Sequence, residues 1–188
     1  KELPQKNIDT GMGLERLVCL IQDGETNFDT DLFLPIIHAT EQYAKHPYSE
    51  KEYKMAYRVI ADHIRTVTFA IADGAMFSNE GRGYVLRRVL RRAVRYGIKL
   101  GIDGAFMYKL VKVVADNMIA YYPYVQEKVA LIEKLVKQEE ESFHKTLANG
   151  EALLQDALAE HADTKILPGE VMFKLYDTYG YPKELTTE

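Results

Sequence analysis

Apolar residues recur at three- and four-residue spacing along most of the chain, the period of amphipathic helices rather than strands. Leu14, Leu17, Val18 and Ile21 give the first such stripe, and ahead of it residues 5–9 read as a short strand running into the glycine turn Thr10-Gly11-Met12-Gly13. A loop at Asp23-Gly24-Glu25 leads to a second helix over residues 32–45, which His46-Pro47 ends because proline cannot continue a helix. Ser49 and Glu52 have capping-box spacing and predict a long helix from there to Ala72, with Met55, Val59, Ile60, Ile64, Val67 and Ile71 on its buried side.

Asp73-Gly74 breaks that helix, and Asn79-Glu80-Gly81-Arg82-Gly83 is a glycine-rich turn ahead of the next. There Leu86, Val89, Leu90, Ala93 and Val94 fill one arc while Arg87, Arg88, Arg91, Arg92 and Arg95 fill the opposing one. A further helix fits residues 106–121, and Pro123 joins it to a long one over residues 125–162 whose spacing (Val125, Val129, Ile132, Leu135 or Val136, Phe143, Leu147, Leu154, Leu158) survives Gly150. A last short helix follows Leu167-Pro168-Gly169 and is closed by Gly180 and Pro182. The expected fold class is all-α, with a short strand-and-helix piece at the N-terminus. A lone strand is not a stable sheet, so that piece is expected to have its sheet outside this chain.

With 188 residues, 47% of them apolar, the chain can bury a real core. No apolar stretch approaches the roughly 18 residues needed to span a bilayer, so no membrane partner is expected. A single cysteine, Cys19, excludes an internal disulfide, and with five scattered histidines it forms no metal-ligand cluster. A reducing, cytoplasmic compartment and no structural metal are expected. The chain begins with neither an initiator Met nor a signal-like segment and reads as part of a longer protein.

The net charge of −4 hides an uneven distribution. Residues 82–99 hold seven cations (Arg82, Arg87, Arg88, Arg91, Arg92, Arg95, Lys99) and no acid, so the remainder sets 17 cations against 28 acids, a balance of −11. Arginines without interleaved acids repel one another unless a polyanion or neighbouring carboxylates neutralise them. A solvated charged face is the alternative. Glu139-Glu140-Glu141 on the long helix reads as such a solvated face, pointing away from any anionic ligand. Cys19 reads as core. His63 and Arg65 read either as ligand contacts or as a surface polar cluster, and Tyr121, Tyr122 and Tyr124 either as base-stacking rings or as packing at the proline corner.

Asp9-Thr10-Gly11-Met12-Gly13-Leu14-Glu15-Arg16-Leu17 sets two glycines at a turn and an arginine on the first turn of a helix, where backbone and guanidinium can both approach an anionic ligand. This string resembles motif 3 of the class II aminoacyl-tRNA synthetases in its alanyl form. Residues 58–97 resemble the tRNA-recognition region that follows the catalytic domain in the alanyl branch, nearly ungapped. Residues 167–186, LPGEVMFKLYDTYGYPKELT, carry that branch's LYDTYG-aromatic-Pro pattern, with Tyr181 where Phe is more usual.

The resemblance implies that residues 1–22 end a class II catalytic domain and that residues 23–188 are a helical tRNA-recognition domain with 164–188 as its C-terminal element. It implies an ATP site at Gly11, Gly13 and Arg16, with the arginine on the adenine face and terminal phosphate, and an alanine contact at Asp9. It implies tRNA contacts at Asn79, Asp177, Arg82, Arg87, Arg88, Arg91, Arg92 and Arg95. Asn79 and Asp177 match residues that read a G·U wobble pair at the third position of the tRNA(Ala) acceptor stem; otherwise they are a turn residue and a helix-end residue. To act on one pair, the turn at 81–83 and the segment 175–180 must converge. Alanine, ATP and magnesium are the implied ligands of a full-length ligase, zinc belongs to an editing domain that this chain lacks, and no DNA is implied. With motif 3 alone the chain is expected to be catalytically silent. The competing reading is a helical module whose arginine face docks an acidic protein.

Overall fold

The computed structural model describes Gln5, residues 10–162 and residues 166–187. Among these residues all regular structure is helical: α1 Leu14–Ile21, α2 Leu34–Glu41, α3 Lys54–Ala72, α4 Gly81–Lys99, α5 Met107–Met118, α6 Pro123–Glu127, α7 Val129–Glu160, α8 Gly169–Asp177 and α9 Lys183–Thr187, with one 3-10 turn at Asn27–Asp29. The strand expected over residues 5–9 falls almost wholly outside the described residues.

The apolar stripes read from the sequence meet in one core. α3 packs along α4, while α5 is enclosed by α2, α3 and α7. Ile60, Ile64 and Val67 of α3, Leu90 and Val94 of α4, Leu110, Val111 and Val114 of α5 and Ile132, Val136 and Phe143 of α7 are all buried. Val125 and Leu154 are buried as expected, but Leu158, near the end of α7, is 46% exposed. Contacts of α7 near its start match α4 near its start (Glu139 with Arg87 and Arg91), and Leu147 and Ala148 face Arg95 and Ile98 further on, so α4 and α7 run parallel. Gly150 continues α7 because a Cβ there would lie 2.1 Å from a ring carbon of Tyr181: the missing side chain is the seat of that ring.

Four local expectations give way. The Ser49–Glu52 box does not form, and α3 starts at Lys54 without a side-chain cap. Residues 46–53 are instead held as turns: the Tyr57 hydroxyl donates to the His46 carbonyl, the His46 and Tyr53 rings stack at 4.1 Å, and the Tyr48 N–H donates to Glu41 at 2.8 Å. Met55, one residue into α3, points outward and is 61% exposed. Cys19 is not core: α1 has no buried residue, and the thiol donates to the Gly24 carbonyl at 3.2 Å. The single helix expected over residues 125–162 is two, broken at Lys128.

Candidate nucleic-acid interface

The arginine helix divides into two rows. Arg91 places Nε 2.9 Å and Nη2 2.8 Å from Glu139 Oε1 and its guanidinium 5.0 Å from the Phe143 ring centroid, while Arg87 Nε lies 3.1 Å from Glu139 Oε2. Arg95 pairs with Glu184 of α9 at 3.3 Å. Arg82, Arg88 and Arg92 are exposed and make no ion pair within 4.0 Å among the described residues. Arg92 lies close enough to Asp62 of α3 to help hold that carboxyl below its usual range, after the hydrogen bond from His63. Arg88, Arg92 and Lys99 fall within roughly 40° of one another around the helix, so they form a cationic ridge on the side opposite the core.

The glutamate run is corrected accordingly. Glu139 and Glu140 do not face solvent: they are 8% and 0% exposed, and only Glu141 is open. Glu140 Oε1 accepts the N–H groups of Phe106 at 2.8 Å and Met107 at 3.1 Å, satisfying donors that the first turn of α5 leaves without helical partners. Burial outweighs those hydrogen bonds and pushes its carboxyl up to about 7. A signal for this was present: 139 and 140 lie three and four residues from both Val136 and Phe143, in register with the buried stripe.

Asn79 sits in the loop entering α4. Gly81 has φ +62°, and a Cβ on Gly83 would lie 2.2 Å from the Met76 carbonyl oxygen, so the loop folds over the first turn of α4 only because both positions lack side chains. This brings Asn79 Oδ1 to the Arg87 guanidinium, which donates to it. Asp177, the last residue of α8, is exposed. The chain beyond it returns to α7, where the Tyr181 hydroxyl donates to Glu151 at 2.6 Å, and then to α4 through Glu184 and Arg95. Among the described residues no hydrogen bond joins Asn79 to Asp177; both side chains face solvent.

Beside α1, Gly13, Glu15 and Arg16 line a cleft of about 360 Å³ with Asn27, Phe28, Phe33 and Asp62. Among the described residues a Cβ at Gly11 would meet nothing within 4 Å. Glu15 pairs with Arg65, whose guanidinium lies 4.5 Å from the Phe33 ring centroid; this ties α1 to α3 and gives Arg65 an intramolecular role. The Glu15 carboxyl is held below its usual range, first by its backbone hydrogen bond and also by Arg65. His63 bonds Asp62 at 2.8 Å, Tyr122 packs edge-on against Phe69, and the Tyr124 hydroxyl donates to Asp73, while Tyr121 stays exposed. Asp9 lies outside the described residues. Among the described residues no group of three His, Cys, Asp or Glu could hold a metal ion, and no helix is long and apolar enough to cross a membrane.

The whole chain, residues 1–188, matches the family described as tRNA synthetases class II (A), and it belongs to that family. Within it, the chain is 59% identical over 99% of its length to the alanine–tRNA ligase of Geobacillus kaustophilus, 59% over 99% to that of Bacillus velezensis and 56% over 99% to that of Enterococcus faecalis. It spans 21% of the first of these relatives and 22% of the other two, so it corresponds to about a fifth of such a ligase.

Proposed function

We propose that this chain is the part of a cytoplasmic alanine–tRNA ligase that joins the end of the catalytic domain, residues 1–22, to a tRNA-recognition domain over residues 23–188. The outward side of α4 carries the reading: the ridge arginines Arg88 and Arg92, with Arg82 exposed in the first turn of the same helix, make no ion pair within 4.0 Å among the described residues of a chain that is otherwise acidic. Phosphates of an acceptor stem would neutralise them. Arg87, Arg91 and Arg95 contribute less directly, because Glu139 and Glu184 already face them.

Base reading falls to Asn79 and Asp177 in the minor groove of a G·U pair. A wobble shift frees the guanine exocyclic amine in a groove whose edges are accessible in RNA, and a carboxylate, which only accepts, suits that amine. Gly11, Gly13 and Arg16 would hold ATP against the α1 cleft, and Asp9 the alanine amino group. The magnesium that accompanies ATP in this family finds no ligand set among the described residues. The exposed face of α1, Leu14, Leu17, Leu20 and Ile21, would pack on the remainder of the synthetase. Alone, the chain does not activate alanine, because activation needs groups placed from several strands around the nucleotide.

Titrating the chain with stem-loop RNAs that differ only in G·U or G·C at the third acceptor pair tests this reading. Binding should weaken steeply with salt and favour G·U; Asn79→Ala and Asp177→Asn should each remove about 1–3 kcal/mol of that preference, and the double variant less than their sum. Binding indifferent to the pair, or tighter binding to an acidic protein than to either RNA, would refute it. Alanine-dependent pyrophosphate exchange by the chain above a protein-free blank would refute its inactivity.

A further inference from the structure

Three side chains from distant positions meet at the head of α4. Glu139, buried on α7, turns one carboxylate oxygen to Arg91 and the other to Arg87, whose Nε is 3.1 Å away. Arg87 reaches back with Nη1 to the side-chain oxygen of Asn79. A guanidinium has donors and no acceptor, so the group it meets on Asn79 has to be the amide oxygen. The Nδ2 amine then faces solvent. A freely rotating amide offers a ligand either a donor or an acceptor; this one offers donors.

We propose that Arg87, clamped by Glu139, is a positioning residue that presents Asn79 to the nucleic-acid ligand as a hydrogen-bond donor. The proposal rests on the reading above, in which Asn79 meets the minor groove of a G·U pair. It divides the work of the two readers. Asn79 addresses an acceptor on the groove floor or edge, a pyrimidine O2, a purine N3 or a ribose 2′-oxygen, and the guanine amine, a donor, is left to the Asp177 carboxylate. It also gives a reason for an arginine at 87 that a phosphate contact does not: only a fork can hold Glu139 with one edge and Asn79 with another.

The test has a free-chain arm and an RNA arm, both on the 188-residue chain. In the ¹⁵N-labelled chain without RNA, the Asn79 side-chain amide signals, identified by their loss in Asn79→Ala, should shift in Arg87→Lys and in Glu139→Gln. With RNA, Arg87→Lys keeps the cation but not the fork. It should lower the ratio of G·U to G·C affinity by about tenfold, with G·C affinity and salt slope retained. On a stem with inosine in place of the guanine, which removes the amine alone, Asn79→Ala should cost as much as on G·U, and Asp177→Asn should cost nothing.

Asn79 signals that stay fixed in both variants would overturn the clamp. So would an Arg87→Lys chain that binds both stems as the unmodified chain does, since a phosphate contact is rescued by lysine. An Asn79→Ala penalty that vanishes with inosine would overturn the donor assignment. If the unmodified chain shows no G·U preference while the amide signals shift as stated, the clamp stands and the assignment of the ligand under Proposed function falls.

Discussion

Arg91 and Arg92 are neighbours in the sequence with opposite surroundings. Arg91 lies in the seam between α4 and α7, doubly bonded to a buried carboxylate and laid over the Phe143 ring, whereas Arg92 stands on the outward ridge with no ion pair among the described residues. The same contrast separates Glu139 from Glu140: the first meets two guanidiniums, the second meets backbone N–H groups and, among the described residues, no cation within 4.0 Å. One step along a helix turns a side chain by about 100°, enough to move it from seam to solvent or from one partner helix to another. A charge run therefore has two populations, one structural and one open to a ligand, and only the second is part of the interface.

The largest test of the contrast is the pH dependence of stability through Glu140. Its carboxyl is raised by burial to about 7 in the fold against the ordinary 4.5 of a free glutamate, so between those pH values the folded chain binds a proton that the unfolded chain has released. Its contribution is fully present below pH 4.5, falls as pH rises towards 7 and is constant above, a loss of about 3 kcal/mol. Glu140→Gln keeps an acceptor for Phe106 and Met107 without a charge. Urea midpoints from pH 4.5 to 8 should fall more in the unmodified chain than in the variant; parallel curves would show that Glu140 titrates normally.

The two rows themselves come next. Arg91→Ala strips the buried Glu139 of its closest partner and uncovers Phe143, and should cost about 2 kcal/mol of stability, while Arg92→Ala should stay within about 0.5 kcal/mol. Denaturant melting of both variants measures it. Equal costs would erase the distinction between rows.

Much of this was readable beforehand because burial is periodic. The stripes at 59, 60, 64, 67 and 71 and at 86, 90, 93 and 94 reappear as the α3–α4 core, whereas of the glycine-rich stretch expected as a turn at 79–83 only 79 and 80 precede the helix and Gly81–Gly83 form the first turn of α4. What failed is what depends on distant partners. The Ser49–Glu52 signal loses to aromatic anchors on His46 and Glu41, and the acidic run is illegible because the partners of Glu139 and Glu140 lie 33 and more positions away. Composition shows that residues 82–99 are basic; it cannot show which three arginines already have carboxylates.

The smallest effects fall on the outward ridge, and they decide whether it touches phosphate. Arg88→Ala and Arg92→Ala should each weaken binding of G·U and G·C stems alike, by about 0.5–1 kcal/mol near physiological salt, because phosphate contacts position the RNA without reading it. Each lost contact also releases about one fewer counterion, so the slope of log K against log salt should become shallower by roughly 0.7–0.9 per substitution. Arg91→Ala should leave that slope unchanged, since its charge is already matched by Glu139. Binding isotherms at several salt concentrations give all the slopes at once. If Arg91 and Arg92 changed the slope equally, the RNA would be competing with Glu139 for the inner row and the division between rows would hold only in the free chain. If Arg88 or Arg92 erased the G·U preference instead, the ridge would be reading bases, and the separation of positioning from recognition along α4 would be wrong.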